Sequence, residues 1–437
     1  MLNHTFAFLE QINDFVWAHV AFILLGGLGL YFSFRSGFFQ IRKFPAICAV
    51  FVKFFSDKDK VESHGIHPLK VFFAAIGGCI GIGNVVGICT AVQIGGPGAL
   101  FWTWVGGLFG MLIQYAEVYL GLKYRVVNSH GSYDGGPMYF LPVAYKGRWV
   151  AYLVCFLLCL YGVEIFMFNV MADSISTNWH INHYWVVAVL LISTIIVALG
   201  GINRVGEVCS GVIPLFILMY VGMGFWVLWE RAADLPAVLT LILDGAFTPQ
   251  AAIGGFAGSS VALTISMGLS RGAYSGDIGV GYTSIVHSES RTTHFGRQAS
   301  LAIVGIFLDT FVVCTMSIIL VLTTGHWKAD IDATMMVQEA LGLTFPYMNF
   351  FMPFFLFLLG YTTILTYFVV GVKCAKFISP KWGPILYYIY ACITLPLFAF
   401  VNPTQAFVVM SLSGALLLLL NVTGMLLLRK QVKFNLD

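Results

Sequence analysis

The feature that most limits how this chain can fold is a succession of apolar stretches, each near the length that crosses a bilayer. Spanning about 30 Å of hydrocarbon takes roughly 20 mostly apolar helical residues. Eleven such stretches follow one another, at about 17–34, 71–94, 99–122, 149–175, 184–199, 208–229, 251–269, 300–322, 348–372, 385–401 and 406–428. All are predicted to be helices, because lipid offers backbone groups no partner outside the segment. The ten-residue alternation of a membrane barrel is absent. With 59% hydrophobic and only 10% charged residues, against about 25% charged in soluble domains, a water-soluble fold is excluded.

Charge placement supports the same count. If the first span starts outside, all of the 23 Lys and Arg except Arg231 and Lys328 fall in inward-facing stretches, the distribution expected of a membrane protein with a cytoplasmic C-terminus. One missed or extra span would reverse the sign of every later loop. The net charge of +3 reflects this bias and implies no nucleic-acid partner. Glu10 and Asp14 precede the first span where a signal peptide would carry basic residues, so that span is expected to stay. The nine cysteines show no metal-ligand spacing and read as small buried hydrophobes. The connector 35–70, with Phe among its basic residues, has the composition of an interfacial helix.

Glycine is distributed unevenly. The second span holds Gly77, Gly78, Gly81, Gly83 and Gly87, and the seventh holds Gly254, Gly255 and Gly258 with Ser259 and Ser260. Glycine at this density destabilises a helix interior, although glycine in membrane helices also allows close packing. The two clusters lie five spans apart; five is odd, so the second unit would be inverted relative to the first. Paired inverted units, each opening with a broken helix, point to a secondary transporter with its site near the midplane. The break exposes amides that can hold a carboxylate and carbonyls that can hold a cation.

Several polar residues are candidates for that site. Asn84 lies in the middle of the second span, where its oxygen would suit a cation or substrate, or an interhelical hydrogen bond. Thr362 and Thr363 offer hard oxygens or back-bond to their own helix. Glu117, Glu164 and Asp309 are intramembrane acids and therefore functional candidates; Glu164, the deepest, would carry a proton, pair a charge or bond within the bundle. Glu207 with Arg204, and Asp277 with Arg271, read as ion-paired elements on the inner side. Metal-spaced histidines, a nucleophile elbow and a phosphate-binding loop are missing, so no enzyme is expected.

The motifs Gly83-Asn84, Gly95-Gly96-Pro97-Gly98-Ala99-Leu100-Phe101-Trp102, Tyr115-Ala116-Glu117, Gly135-Gly136-Pro137-Met138-Tyr139, Arg271 to Gly279, Asp309-Thr310 and Thr362-Thr363-Ile364-Leu365 resemble those of the alanine or glycine:cation symporters, also called sodium:alanine symporters. The resemblance covers nearly the whole chain. It implies an all-α polytopic protein of about 11 transmembrane helices, with one N-terminal helix before a leucine-transporter-like core of 5+5 inverted repeats containing two broken helices. Residues 1–66 would form the N-terminal helix and connector, 67–232 the first repeat and 245–430 the second. Substrate would meet Cys79, Ile82, Gly83, Asn84, Met167, Val170, Phe256, Ala257, Gly258, Thr363 and Tyr367, with backbone amides at 82–84 on its carboxylate and carbonyls at 256–258 on its ammonium. Sodium, the co-transported ion, would sit among the Gly77 and Ile80 carbonyls and the Thr362 and Thr363 hydroxyls; no organic cofactor is expected.

Three positions depart from the family pattern. Ile82 stands for a threonine, Met167 for a glutamine and Tyr367 for a tryptophan, so a substrate other than alanine is an open reading. The family's Ser-Asn-Glu-Ala-Gly is Ser275-Gly276-Asp277-Ile278-Gly279 here. The expected activity is sodium-driven uptake of a small neutral amino acid, alanine or glycine in either hand, by alternating access. The alternatives are proton coupling or another zwitterion, or a channel or sensor on the same scaffold. The partners are the amino acid and the bilayer, and the expected location is a bacterial inner membrane. Oligomeric state is not legible.

Overall fold

The computed structural model of the chain describes residues 2–56, 65–128, 131–250, 258–401 and 403–436. Almost everything is helical. Helix α1 runs from Leu2–Phe15 through a π-helical turn at Val16–Ala21 into Phe22–Ser36, and α2 (Phe44–Ser56) follows in the Phe-rich connector. The first interrupted span consists of α3 (Pro68–Cys79), one 3₁₀ turn (Ile82–Asn84) and α4 (Cys89–Gly95). Next come α5 (Ala99–Lys123), a small hairpin of β1 (Val126–Val127) and β2 (Tyr133–Asp134), and α6 (Pro137–Tyr145). Then α7 (Trp149–Tyr161), α8 (Ile165–Trp179), α9 (His183–Ala198), α10 (Gly201–Glu230) and α11 (Leu235–Phe247) complete the first part.

The second part opens with α12 (Val261–Ser275) and α13 (Tyr282–Ser288), which are separated by an irregular turn. Helix α14 is continuous from Phe295–Ile306 through a π-helical stretch (Phe307–Cys314) to Thr315–Thr324, and α15 (Ala333–Gly342), α16 (Met348–Ile378), α17 (Gly383–Ala399) and α18 (Pro403–Leu427) end the fold. Among the described residues, seven spans are long and apolar enough to cross a membrane. The expected spans at 184–199 and 385–401 are the shorter α9 and α17, and the glycine-rich span at 71–94 is interrupted. Each of the eleven expected spans includes helix among the described residues, the seventh from Val261 onward.

Helices α5 and α16 form the interior. Almost every residue from Gly110 to Leu122 is buried, and the same holds from Leu358 to Val370. Helix α5 packs against α12, α14 and α13, while α16 packs against α7, α8, α3 and α10. Small residues permit the close approaches: a Cβ on Gly110 would lie 2.2 Å from Ile278 Cδ1, and one on Gly268 would lie 2.4 Å from the Ala99 carbonyl oxygen. Helix α1 packs on the outside of this bundle, with Trp17 Nε1 donating to the Ser411 carbonyl at 3.2 Å. The tail beyond α18 returns across α5, where Phe434 stacks on Tyr115 at 5.2 Å and the Tyr115 hydroxyl donates to the Lys433 carbonyl at 2.8 Å.

Candidate functional site

Three interrupted helices meet at one cavity. Helix α3 begins under His67, whose ring accepts from the Leu69 amide, with Pro68 in the first turn, where its missing N–H costs nothing. It ends when Ile80 turns to an extended conformation, ψ 94°, and Gly81 continues extended into the single turn at Ile82–Asn84. Asn84 holds this turn closed: its Oδ1 accepts the Gly81 N–H at 2.8 Å, and its Nδ2 donates to Asp309 Oδ1 at 2.5 Å. The acid comes from the π-helical stretch of α14, the kind of local widening that recurs at functional sites. The last carbonyls of α3 and the first amides of the turn therefore lack helical partners near midspan.

Among the described residues, a second interruption lies at Ser275–Gly281. Gly254, Gly255 and the site candidates Phe256 and Ala257 fall outside the described residues. Gly258, with φ +87°, precedes Ser259, which packs on the end of α4 by donating to the Gly95 carbonyl at 3.0 Å. That places Gly258 well away from the turn at 82–84. In the break itself Asp277, Gly279 and Gly281 all have positive φ, of 50°, 78° and 99°. The amides that begin α13 are met by Glu117 of α5: Oε2 accepts Gly281 N at 3.1 Å, and Oε1 accepts Ser284 N at 3.1 Å. Asn421 Nδ2 donates to the same carboxylate at 2.9 Å.

A third break divides the span expected to run unbroken over 149–175. Helix α7 stops at Tyr161, and Glu164 adopts the left-handed conformation, φ 51°, before α8 starts. For a non-glycine residue this costs on the order of 1–3 kcal/mol. A Cβ on Gly162 would lie 2.9 Å from the Tyr367 carbonyl, so glycine lets α16 approach at that point. The apolar run continues through the break, which leaves no sequence signal other than Gly162 and Glu164 themselves.

The cavity among these breaks has an empty volume of about 260 Å³. The first break contributes Gly78, Cys79, Gly83 and Asn84, the third Tyr161, Glu164 and Met167, the second Tyr274, Ser275 and Asp277, and α16 contributes Thr363. Six residues named from the sequence line it: Cys79, Gly83, Asn84, Met167, Thr363 and Glu164. Ile82 is fully buried with its side chain against Gly360, while its amide begins the turn at the cavity. Val170 is buried one turn beyond Met167 and Tyr367 stands behind the wall, stacked on Tyr282 at 4.0 Å and edge-on to Tyr161 at 5.2 Å. Neither Val170 nor Tyr367 lines the cavity.

The expected cation ligands divide. Thr363 Oγ1 donates to the Gly77 carbonyl at 3.1 Å, bringing those two groups together. Thr362 faces Gly77 as well, its Cβ 3.4 Å from where a Gly77 Cβ would stand, but its hydroxyl is bonded back to Leu358 O at 3.1 Å and Leu359 O at 2.9 Å. Ile80 is buried at the end of α3, and no hydrogen bond ties it to this group among the described residues. The side chain of Asn84 is spent on Gly81 and Asp309, so its oxygen is committed to the turn.

Two charge assignments change. Asp277 is not an inner-loop acid: it is buried, and Tyr161 Oη donates to its Oδ1 at 3.0 Å. The Tyr367 hydroxyl faces the same carboxylate without a well-formed hydrogen bond. Glu207 pairs with Lys70 at 2.7 Å, joining the starts of α3 and α10, while Arg204 donates to the Ile196 carbonyl at 3.3 Å. Gly78, Tyr161, Tyr274 and Ser275 line the cavity without having been singled out for it. Gly78 stood in the glycine cluster and Ser275 in the altered family motif; the tyrosines carried no signal beyond their polarity.

At the opposite end of α13 lies a second polar cluster. Lys373 of α16 pairs with Asp134 of the hairpin at 2.8 Å and with Glu289. Arg125 donates to the Ser290 carbonyl at 2.5 Å and the Thr292 carbonyl at 2.8 Å, and its guanidinium lies 3.7 Å over the Tyr133 ring. Burial works to raise the Asp134 carboxyl, but the Lys373 ammonium beside it outweighs this and holds it below the usual carboxylate range.

Comparison with known proteins agrees with this architecture. The chain is similar to the solved structure of a manganese transporter from Eremococcus coleocola, with TM-score 0.54 and 12% identity over 82% of this chain and 80% of that one, a likeness of fold alone. It is 32% identical to an uncharacterised transporter of Haemophilus influenzae over 97% of this chain and 94% of the relative. It is 31% identical to the sodium/alanine symporter AgcS of Methanococcus maripaludis, over 87% and 85%, and 25% identical to a probable sodium/glutamine symporter, GlnT, of Bacillus subtilis, over 96% and 87%. The model of the sodium:alanine symporter family matches residues 3–437. This multi-pass, leucine-transporter-like membrane protein therefore belongs to the sodium:alanine symporter family.

Proposed function

We propose that the protein is a secondary active transporter that couples inward sodium movement to symport of a small amino acid, with glycine and alanine of either hand as the first candidates. The observation that carries this reading is the convergence of three helix breaks on one midspan cavity, beside the meeting of the Gly77 carbonyl with the Thr363 hydroxyl. In this reading the Ile82 and Gly83 amides, the first of a turn with no carbonyl behind them, hold the substrate carboxylate, and Cys79, Met167 and Thr363 bound the pocket. Sodium takes the Gly77 carbonyl and the Thr363 hydroxyl, joined by Thr362 once it releases its own helix.

Residues 67–232 and 245–430 act as inverted halves after an N-terminal unit of 1–66, with the N-terminus outside and the C-terminus in the cytoplasm. The inner cluster of Lys373, Asp134 and Glu289 is the closed inner gate, and alternating access opens it after both ligands are occluded. Entry of one positive charge releases about 2.3 kcal/mol per 100 mV, enough to concentrate a zwitterion tens-fold on voltage alone.

The test is uptake of labelled amino acids into proteoliposomes under a sodium gradient, a proton gradient or neither. Sodium-driven accumulation that weakens in Thr363→Ala supports the reading. Accumulation driven by protons alone, or flux without accumulation, overturns it.

A further inference from the structure

Two carboxylates, Glu164 and Asp277, line the same cavity, and no Lys, Arg or His is among the residues that line it. Their situations differ. Asp277 accepts a hydrogen bond from Tyr161. Glu164 is only 2% exposed, yet its carboxyl group has no hydrogen-bond or ion-pair partner among the described residues. Arg271 lines an adjoining cavity, sharing Tyr274 as the wall, with its guanidinium 5.1 Å from the Phe407 ring.

A buried carboxylate without a partner is expensive, and both these acids are held toward the cavity by left-handed backbone, φ 51° at Glu164 and 50° at Asp277. The missing partner is a group that arrives. It must be cationic, to offset like charges, and it must carry several N–H donors, to satisfy Glu164 while Asp277 keeps Tyr161. A protonated primary amine, with three donors, meets both conditions.

Resting on the symport reading above, we propose that Glu164 and Asp277 form an acidic subsite for a protonated primary amine of the transported solute. The amine is either the α-ammonium of a simple amino acid or a second, side-chain ammonium. Glu164 is a specificity-determining residue that the substitution of glutamine by Met167, one turn away, leaves as a polar group facing the pocket.

The experiment measures sodium-driven uptake of labelled alanine by the full chain in proteoliposomes, with unlabelled alanine, 2,4-diaminobutyrate and lactate as competitors. Lactate replaces the ammonium by a hydroxyl and is expected to compete at least tenfold more weakly than alanine. If 2,4-diaminobutyrate competes at least tenfold better than alanine, the amine is on the side chain; if the two compete equally, it is the α-ammonium. Glu164→Gln is expected to raise the half-saturating alanine concentration at least tenfold while leaving that for sodium within twofold, and Glu164→Asp, which keeps the charge, to recover part of the loss.

Equal competition by lactate overturns the subsite, as does an unchanged half-saturation in E164Q. Equal losses in E164Q and E164D assign Glu164 to structure and also overturn it. A flattened pH profile in E164Q without a change in half-saturation gives Glu164 to a proton and overturns it. Absence of sodium-driven uptake of every amino acid by the unmodified protein instead overturns the symport reading on which the subsite rests, so the two failures are distinct.

Discussion

In the first interrupted helix glycine does much of the breaking: the chain leaves α3 at Ile80, passes Gly81 extended and makes one turn before Val85. In the second, glycines stand at 276, 279 and 281, but an acid sits among them. The break falls at Ser275–Gly281, where a charged residue, Asp277, takes the left-handed conformation beside Gly279 and Gly281. What the two share is a buried acid from the other half of the molecule. Asp309 of α14 holds Asn84 at the first break, and Glu117 of α5 holds the amides of Gly281 and Ser284 at the second. Helix α5 follows the first interrupted helix in sequence and α14 follows the second, so each half braces the broken helix of the other. A membrane helix can stop at midspan only where its freed backbone groups find partners, and these acids supply or position them.

This makes Glu117 the position with the largest expected effect. Glu117→Ala leaves the Gly281 and Ser284 amides without their acceptor and takes one of two acceptors from Asn421 Nδ2, which keeps the Gly279 carbonyl. At about 1–3 kcal/mol for each buried donor so stranded, the loss is about 3 kcal/mol or more. Thermal unfolding of the detergent-solubilised protein would show it; a variant that melts with the parent would break the comparison. Asp309→Ala strands the Asn84 amide and the Thr310 hydroxyl, which donates to Asp309 at 2.9 Å, and is expected to cost about 2 kcal/mol. A cost at Asp309 exceeding that at Glu117 would mean that the first break, despite its glycines, depends more on its brace than the second does.

The contrast also shows what was legible. Hydropathy located the seven long spans and the shorter apolar helices α3, α9 and α17, because the need for about 20 apolar residues acts on every segment alike. The first break was readable because glycine weakens a helix locally. The break at Ser275–Gly281 went unread because its partners, Glu117 and Asn421, lie far away in sequence. The third, at Glu164, was hidden by an apolar run that continues through it. Asp277 was read as a loop acid because it follows Arg271 in a polar stretch, and Glu207 was paired with nearby Arg204 when its partner is the distant Lys70. In each case the missing information is a long-range contact. Cys79, Asn84, Met167 and Thr363 were found because the family motif places them, although the motif does not show that Asn84 spends its side chain within the turn.

Glycines within the first break sharpen the comparison further, because they are not equivalent. A Cβ on Gly81 would lie 2.7 Å from Thr363 Oγ1 and 3.2 Å from Met167 Cε, whereas one on Gly83 meets nothing closer than Ser275 Cα at 4.0 Å. Gly83 also has no positive φ that would strain a side chain. Gly81→Ala is therefore expected to destabilise by about 1–2 kcal/mol through overpacking and to disturb the Thr363 contact with Gly77. Gly83→Ala is expected to fold within about 0.5 kcal/mol of the parent while placing a methyl in the cavity, so uptake falls with little change in melting temperature. Equal destabilisation by both would show that the turn needs glycine for its backbone and not for room.

The smallest expected effect lies at the inner cluster, which joins the end of the second broken helix to α16 and the hairpin. Asp134 is partly exposed, with 26% of its side chain accessible, so water screens its pairing with Lys373 and the contribution is modest. Its carboxyl is held below the usual value of about 3.9, with the Lys373 ammonium prevailing over burial. The sign follows from linkage: a depressed folded-state value stabilises above the unfolded value, and the benefit is lost as pH falls through the lower folded value. The cluster is thus at full strength near neutral pH and loosens only in acid. Asp134→Asn removes that dependence, since the amide cannot ionise. Hydrogen exchange of the hairpin and of residues 288–292 checks this: exchange should quicken in acid in the parent more than in the variant, with the first break unaffected in both. An equal response at the first break would mean that the inner cluster and the distant turn open as one unit, so that the closure at this end is set by the whole broken-helix pair and not by the local charges.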